Sequence, residues 1–143
     1  MKIYNINTPE QADILNLINK LSKLKYHIFD QSEFEIKNIR ELFKSVQYRY
    51  DSAERGSKIK TPPHFWRLRG NCDDQALFWL SWLRHHNFKG NFYFCVFHTG
   101  GHADHLFLMY ETFDGKKYYF DSLPGLKLFQ IPEYGKIEHI KIN

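Results

Sequence analysis

RGNCDDQALFWLSWL, Arg69 to Leu83, settles the centre of the fold. Asp73 and Asp74 suit the positive end of a helix, and Arg84, His85 and His86 suit the negative end a few turns later. Asn87 and Gly90 then stop the run. Ala76, Leu77, Phe78, Leu80 and Leu83 are apolar over most of the helix circumference, and Trp79 and Trp82 read as packing residues of the same element. A helix apolar nearly all round belongs in the middle of a domain. At its first turn stands Cys72, between Gly70-Asn71 and the two aspartates.

Downstream the period changes from helical to alternating. NFYFCVFH, HLFLMYETF and KKYYFD are short aromatic and β-branched runs separated by Gly and Asp, and KIEHIKI alternates near the C-terminus. Upstream, TPEQADILNLINKLSKL predicts a helix over residues 9–24, with Thr8 as N-cap, Pro9 at the first position and Gln11 completing a capping box. Ile14, Leu15, Leu17, Ile18, Leu21 and Leu24 form its apolar face. QSEFEIKNIRELFKSVQYRYD repeats the device, with Ser32 capping, Glu35 three residues on, and Ile36, Ile39, Phe43 and Val46 as the buried stripe. Residues 51–71, with two Gly, two Pro and mixed charge, read as a loop. Helices first and strands later predict an α+β fold in which the Cys72 helix packs on an antiparallel sheet.

The 143 residues make one domain, 1–143, large enough for its own core. Two cysteines are no disulfide framework and suit a reducing compartment. The N-terminus MKIYNINTPEQ has no signal-peptide pattern, so a cytoplasmic location is expected, and no run is apolar enough for a membrane span. The formal charge of +4 comes from scattered Lys and Arg without a basic stripe, which argues against a nucleic-acid partner.

A thiol in the first turn of a helix feels the unpaired N–H groups there, which favours the nucleophilic thiolate. Gly70 would let the backbone approach a bound group, and the Cys72 N–H can face a developing oxyanion. Asp73 and Asp74 oppose ionisation of the thiol, so an imidazolium is needed nearby. HADHLFLMYETFDGKKYYFDSLP supplies histidines before one strand and Asp121 after the next. Strand parity selects among them. A two-residue turn, Asp114-Gly115, would set Asp121 across from Leu108 and put His105 on the other face. A three-residue loop, Phe113-Asp114-Gly115 with Gly115 left-handed, sets Asp121 across from Phe107. His105 is then a diagonal neighbour of Asp121 on the same face, and His102 is not. Cys72, His105 and Asp121 thus have the composition of a thiol acyl-transfer triad.

RGNCDDQALFWLSWLRHHNFKG followed by HADHLFLMYETFDGKKYYFDSLP resembles the transglutaminase-like cysteine-peptidase superfamily. Its pattern is a Gly-x-Cys-x-Asp helix start, a His-led strand and an Asp ending the next strand. VQYRYD and TPPHFWRLRGNCDD upstream look most like the compact bacterial and phage members, and the likeness covers about residues 40–125. The resemblance implies a papain-like core over 31–143, a helical extension over 1–30, and a Cys72, His105, Asp121 triad. The sequence departs from the compact pattern at Asn71 and in the extra N-terminal helix. The resemblance implies a thiol-dependent amide or peptide hydrolase, with protein cross-linking or a non-catalytic structural module, virion-associated if phage-encoded, as alternatives. The partner expected is a protein or short peptide, since little chain is left over for a recognition domain, or a structural protein if the module is non-catalytic. No cofactor is expected.

Gln47 and Trp66 are weaker candidates as side-chain oxyanion donors. His98, His102, Asp104 and His105 carry enough ligand atoms for a metal, but a Gly-rich stretch between strands does not fix ligand geometry, and no metal site is expected. Asp74 reads as a helix N-terminal carboxylate, Cys95 as a core residue, and His85 and His86 as surface residues.

Overall fold

The computed structural model describes residues 9–46, 59–98, 104–122, 126–130 and 135–143, with the side chains of 9–11 left aside. Among the described residues four α-helices, α1 (Pro9–Ser22), α2 (Ile39–Ser45), α3 (Pro62–Leu68) and α4 (Cys72–His85), precede four strands. The strands are β1 (Asn91–Phe97), β2 (His105–Glu111), β3 (Lys117–Phe120) and β4 (Ile137–Ile142). They form one antiparallel sheet in the order β3-β2-β1-β4. The α+β class and the helix-on-sheet arrangement follow the sequence reading.

All residues of α4 from Cys72 to Leu83 are buried, and only its last two residues, Arg84 and His85, are partly exposed. Phe94, Val96, Leu106, Leu108, Tyr110 and Phe120 of the sheet share one apolar cluster with it, and so do Leu15 and Ile18 of α1. Phe29 and Phe34 lie in the same cluster, so no break in packing marks residue 30. Phe78 is a hub, with Phe29 and Phe65 rings 5.4 Å away and Trp66 stacked at 6.1 Å. The other sheet face carries a smaller cluster of Cys95, Phe107, Met109 and Tyr119. The helix ends in a Schellman arrangement. Asn87 is left-handed (φ +56°), and the Asn87 and Phe88 amides donate to the Arg84 and Leu83 carbonyls.

Three readings need correction. Helix α1 stops at Ser22, not at residue 24, and Leu24 is exposed. The Asn19 carbonyl, which would accept the next helical N–H, instead accepts from Ser22 Oγ at 2.7 Å and Arg84 Nη1 at 3.0 Å. Lys23 N–H turns to the Lys20 carbonyl. The helix expected from Ser32 is a series of 3₁₀ turns (His27–Asp30, Ser32–Phe34, Ile36–Asn38) that becomes α-helical only at Ile39. Here the Phe34 carbonyl is taken by Trp82 Nε1 and His86 Nε2, both at 2.8 Å. A carbonyl so engaged is a poor acceptor for the helix ladder, and Ile36 is left exposed. Finally, the segment read as loop contains α3, begun by Pro62-Pro63 at positions that prefer proline. The Thr8–Gln11 box lies outside what is described.

Candidate active site

Cys72 opens α4, and the chain before it is built to hold that start. Asn71 Oδ1 accepts from the Asp73 and Asp74 amides at 3.1 and 3.4 Å, and Asp74 Oδ2 accepts from the Asn71 amide at 3.1 Å. This reciprocal box satisfies two helix N–H groups and leaves the Cys72 amide outside it. Asp74 is buried, accepts from Lys60 N–H at 2.8 Å, and has the Lys60 ammonium at 3.7 Å. A Cβ on Gly70 would lie 2.3 Å from Asp74 Oδ2. Glycine at 70 therefore makes room for the Asp74 carboxylate, which corrects the expectation that it makes room for a bound group.

At the other side of the site the hairpin has the expected three-residue loop. Thr112 N–H donates to the Lys116 carbonyl at 2.9 Å, and Gly115 has φ +91°. Leu108 pairs with Phe120, so continuing the register puts Asp121 across from Phe107. His105 lies two residues along the same face, its ring stacked on Phe107 at 5.8 Å. His105 Nε2 donates to Asp121 Oδ2 at 2.9 Å, and both side chains are almost completely buried. The Cys72 thiol is the other side-chain partner of the ring. Although His105 belongs to the face away from α4, thiol and imidazole meet because β2 begins and β3 ends at the same edge that the helix start overhangs.

Burial alone would push the His105 pKa down. Hydrogen bonds to Asp121 and Cys72, with the charge of Asp121, carry it instead up to about 9. At neutral pH the ring is an imidazolium held between a carboxylate and a sulfur. Asp73 Oδ1, 3.9 Å from Sγ, is the acceptor for the proton of the neutral thiol. Cys95 differs in kind: burial, reinforced by the charge of Asp121, pushes its thiol well above the usual range.

A group that sequence reading missed completes the site. Gln75 is fully buried one turn after Cys72. Its Nε2 donates to Asp121 Oδ1 at 3.2 Å and to the Leu106 carbonyl at 3.3 Å, and its Oε1 accepts from Ser122 N–H at 2.8 Å. Trp79, read as packing only, also donates to Ser122 Oγ at 3.0 Å. The available signal was a lone amide in an otherwise apolar stretch of helix.

Other expectations fare differently. Trp66 stacks on Phe78 and meets Phe34 edge-on at 4.9 Å. Phe78 is six residues down α4, about 9 Å along the axis from Cys72. These ring contacts make Trp66 a packing residue of the core. Gln47 and His102 lie outside the described residues. His98 Nδ1 bonds Asp104 at 2.8 Å and Nε2 bonds Glu138 at 2.9 Å. The bond to Glu138, with Asp104 adding to it against burial, raises its pKa. A ring donating from both nitrogens is an imidazolium, not a metal ligand, and no metal-holding cluster of His, Cys, Asp and Glu occurs among the described residues. His85 and His86 are half-buried, the first against Phe29 and the second bonded to the Phe34 carbonyl, which corrects their assignment to the surface.

Among the described residues no helix is long and apolar enough to cross a membrane. Neither family models, curated proteins nor solved structures give a match to this chain.

Proposed function

We propose that the chain is a thiol-dependent amide or peptide hydrolase with a papain-like, transglutaminase-type core. The observation that carries the proposal is the order of groups at the helix start: thiol, imidazole, carboxylate, with His105 Nε2 bonded to Asp121 at 2.9 Å. In this reading Cys72 Sγ attacks the substrate carbonyl carbon, and negative charge gathers on oxygen facing the Cys72 N–H. The imidazolium of His105 gives its proton to the leaving nitrogen, the C–N bond breaks, and an acyl thioester remains. Neutral His105 then takes a proton from water, hydroxide oxygen adds to the acyl carbon, and the carboxylic acid leaves as the thiol is restored. Asp121 holds the ring in one tautomer throughout. A lysine amine in place of water would make the same acyl-enzyme a cross-linker. The substrate in either case is a protein or short peptide.

The complete burial of Cys72 favours a second reading, a structural or binding module that keeps the polar core of such a site without turnover. A mass-spectrometric screen of a peptide library, with and without a primary amine, separates these. For a hydrolase, Cys72→Ala should lose at least about 10³-fold and His105→Ala nearly as much. Asp121→Asn should lose less, because it removes no proton carrier. Amine incorporation without cleavage would move the proposal to cross-linking. Cleavage surviving in Cys72→Ala would remove the thiol from it. No reaction, together with a Cys72 that resists alkylation in the folded protein, would leave the module.

A further inference from the structure

We infer that Gln75 is a positioning residue that couples the nucleophile's helix to the carboxylate of the triad; the inference rests on the reading above. Burying a primary amide is costly unless its donors and acceptor are matched. The Gln75 amide is matched on both of its ends, and every partner flanks the site. One donor goes to the carbonyl of Leu106, the residue after His105, and the other to Asp121 Oδ1, while the acceptor takes the amide of Ser122, the residue after Asp121. An apolar side chain of similar size would suit the cluster around α4 as well, so packing alone gives no reason for an amide here. Its geometry does. With Oδ1 held by Gln75, the carboxylate cannot rotate freely, and Oδ2 is presented to His105 Nε2 at 2.9 Å. Because Gln75 and Cys72 are one turn apart on the same rigid helix, the amide also fixes the height of the His105–Asp121 pair relative to sulfur. The Trp79–Ser122 bond, a further turn along, secures the same strand end.

The test is a double-mutant cycle read as the iodoacetamide alkylation rate of Cys72, which requires no peptide substrate. Gln75→Leu should slow alkylation about tenfold in the wild-type background and less than about twofold beside Asp121→Ala, because the amide acts through the carboxylate. A merely structural role would slow both backgrounds alike, and that additivity would overturn the inference. If Asp121→Ala by itself left alkylation unchanged, the triad would be at fault instead. Gln75→Glu covers the case in which Gln75→Leu does not fold. It keeps size and the acceptor for Ser122 but replaces the donor to Asp121 with a carboxylate. Its deficit relative to wild type should shrink as pH falls and the introduced carboxyl protonates; a deficit constant with pH would overturn the inference.

Discussion

Raising the pH from about 6 to about 10 strips the proton from His105, and the fold should lose stability in a defined window. The imidazole titrates at about 9 in the fold against 6.5 for the ordinary group. A proton bound more tightly in the folded than in the unfolded chain stabilises the fold. That gain is complete below 6.5, shrinks as pH rises, and is gone above the folded value. At about 1.36 kcal/mol per pH unit, the interval corresponds to roughly 3 kcal/mol at most. For a chain of this size that is on the order of 10 °C in Tm. Asp121→Asn is the control, since it keeps the shape and removes the charge. Burial would then be opposed only by the Cys72 contact, so the slope should be much smaller in the variant. Thermal unfolding of both proteins across the window gives the difference curve, and the His105 ring signals in NMR give the midpoint directly. Parallel curves for the two proteins, or a wild-type midpoint at or below 6.5, would refute the imidazolium held between Asp121 and Cys72.

Two further outcomes are expected. Limited iodoacetamide treatment with peptide mapping should modify Cys72 at least about 100-fold faster than Cys95: both thiols are buried, but Cys72 stands at a helix start beside an imidazole, whereas Cys95 lies in an inner strand where burial and the charge of Asp121 oppose the thiolate; equal labelling would remove the special status of Cys72. Gly70→Ala should cost about 2 kcal/mol in denaturant unfolding, since its methyl would displace the buried Asp74 carboxylate from the Lys60 and Asn71 amides, and a neutral result would mean that Asp74 relaxes without loss.

The parts of this fold legible in the sequence are those governed by period. The apolar circumference of α4, the alternation in the strands and the hairpin loop each follow from local rules. Strand parity is strict enough that choosing His105 over His102 as the partner of Asp121 required a three-residue loop, and the hairpin has one. The helix limits were not legible, because they are decided elsewhere in the molecule. Trp82 and Arg84 of the last turns of α4, and His86 at its C-cap, bind the carbonyls of Phe34 and Asn19, residues 48 to 65 positions earlier. By taking those carbonyls they end α1 and break the following segment into 3₁₀ turns, whatever the local propensity favours. Gln75 escaped notice for a related reason. Read by hydropathy it is a gap in an apolar helix, and its meaning emerges only when β2 and β3 bring Leu106, Asp121 and Ser122 against it. In this chain α4 does two jobs at once. Its N-terminal turns carry Cys72 and the amide that steadies Asp121, while its C-terminal turns dictate where the N-terminal helices stop. A change in the packing of α1 against the end of α4 is therefore expected to reach the thiol through one continuous helix, buried from Cys72 to Leu83, and to change the alkylation rate of Cys72.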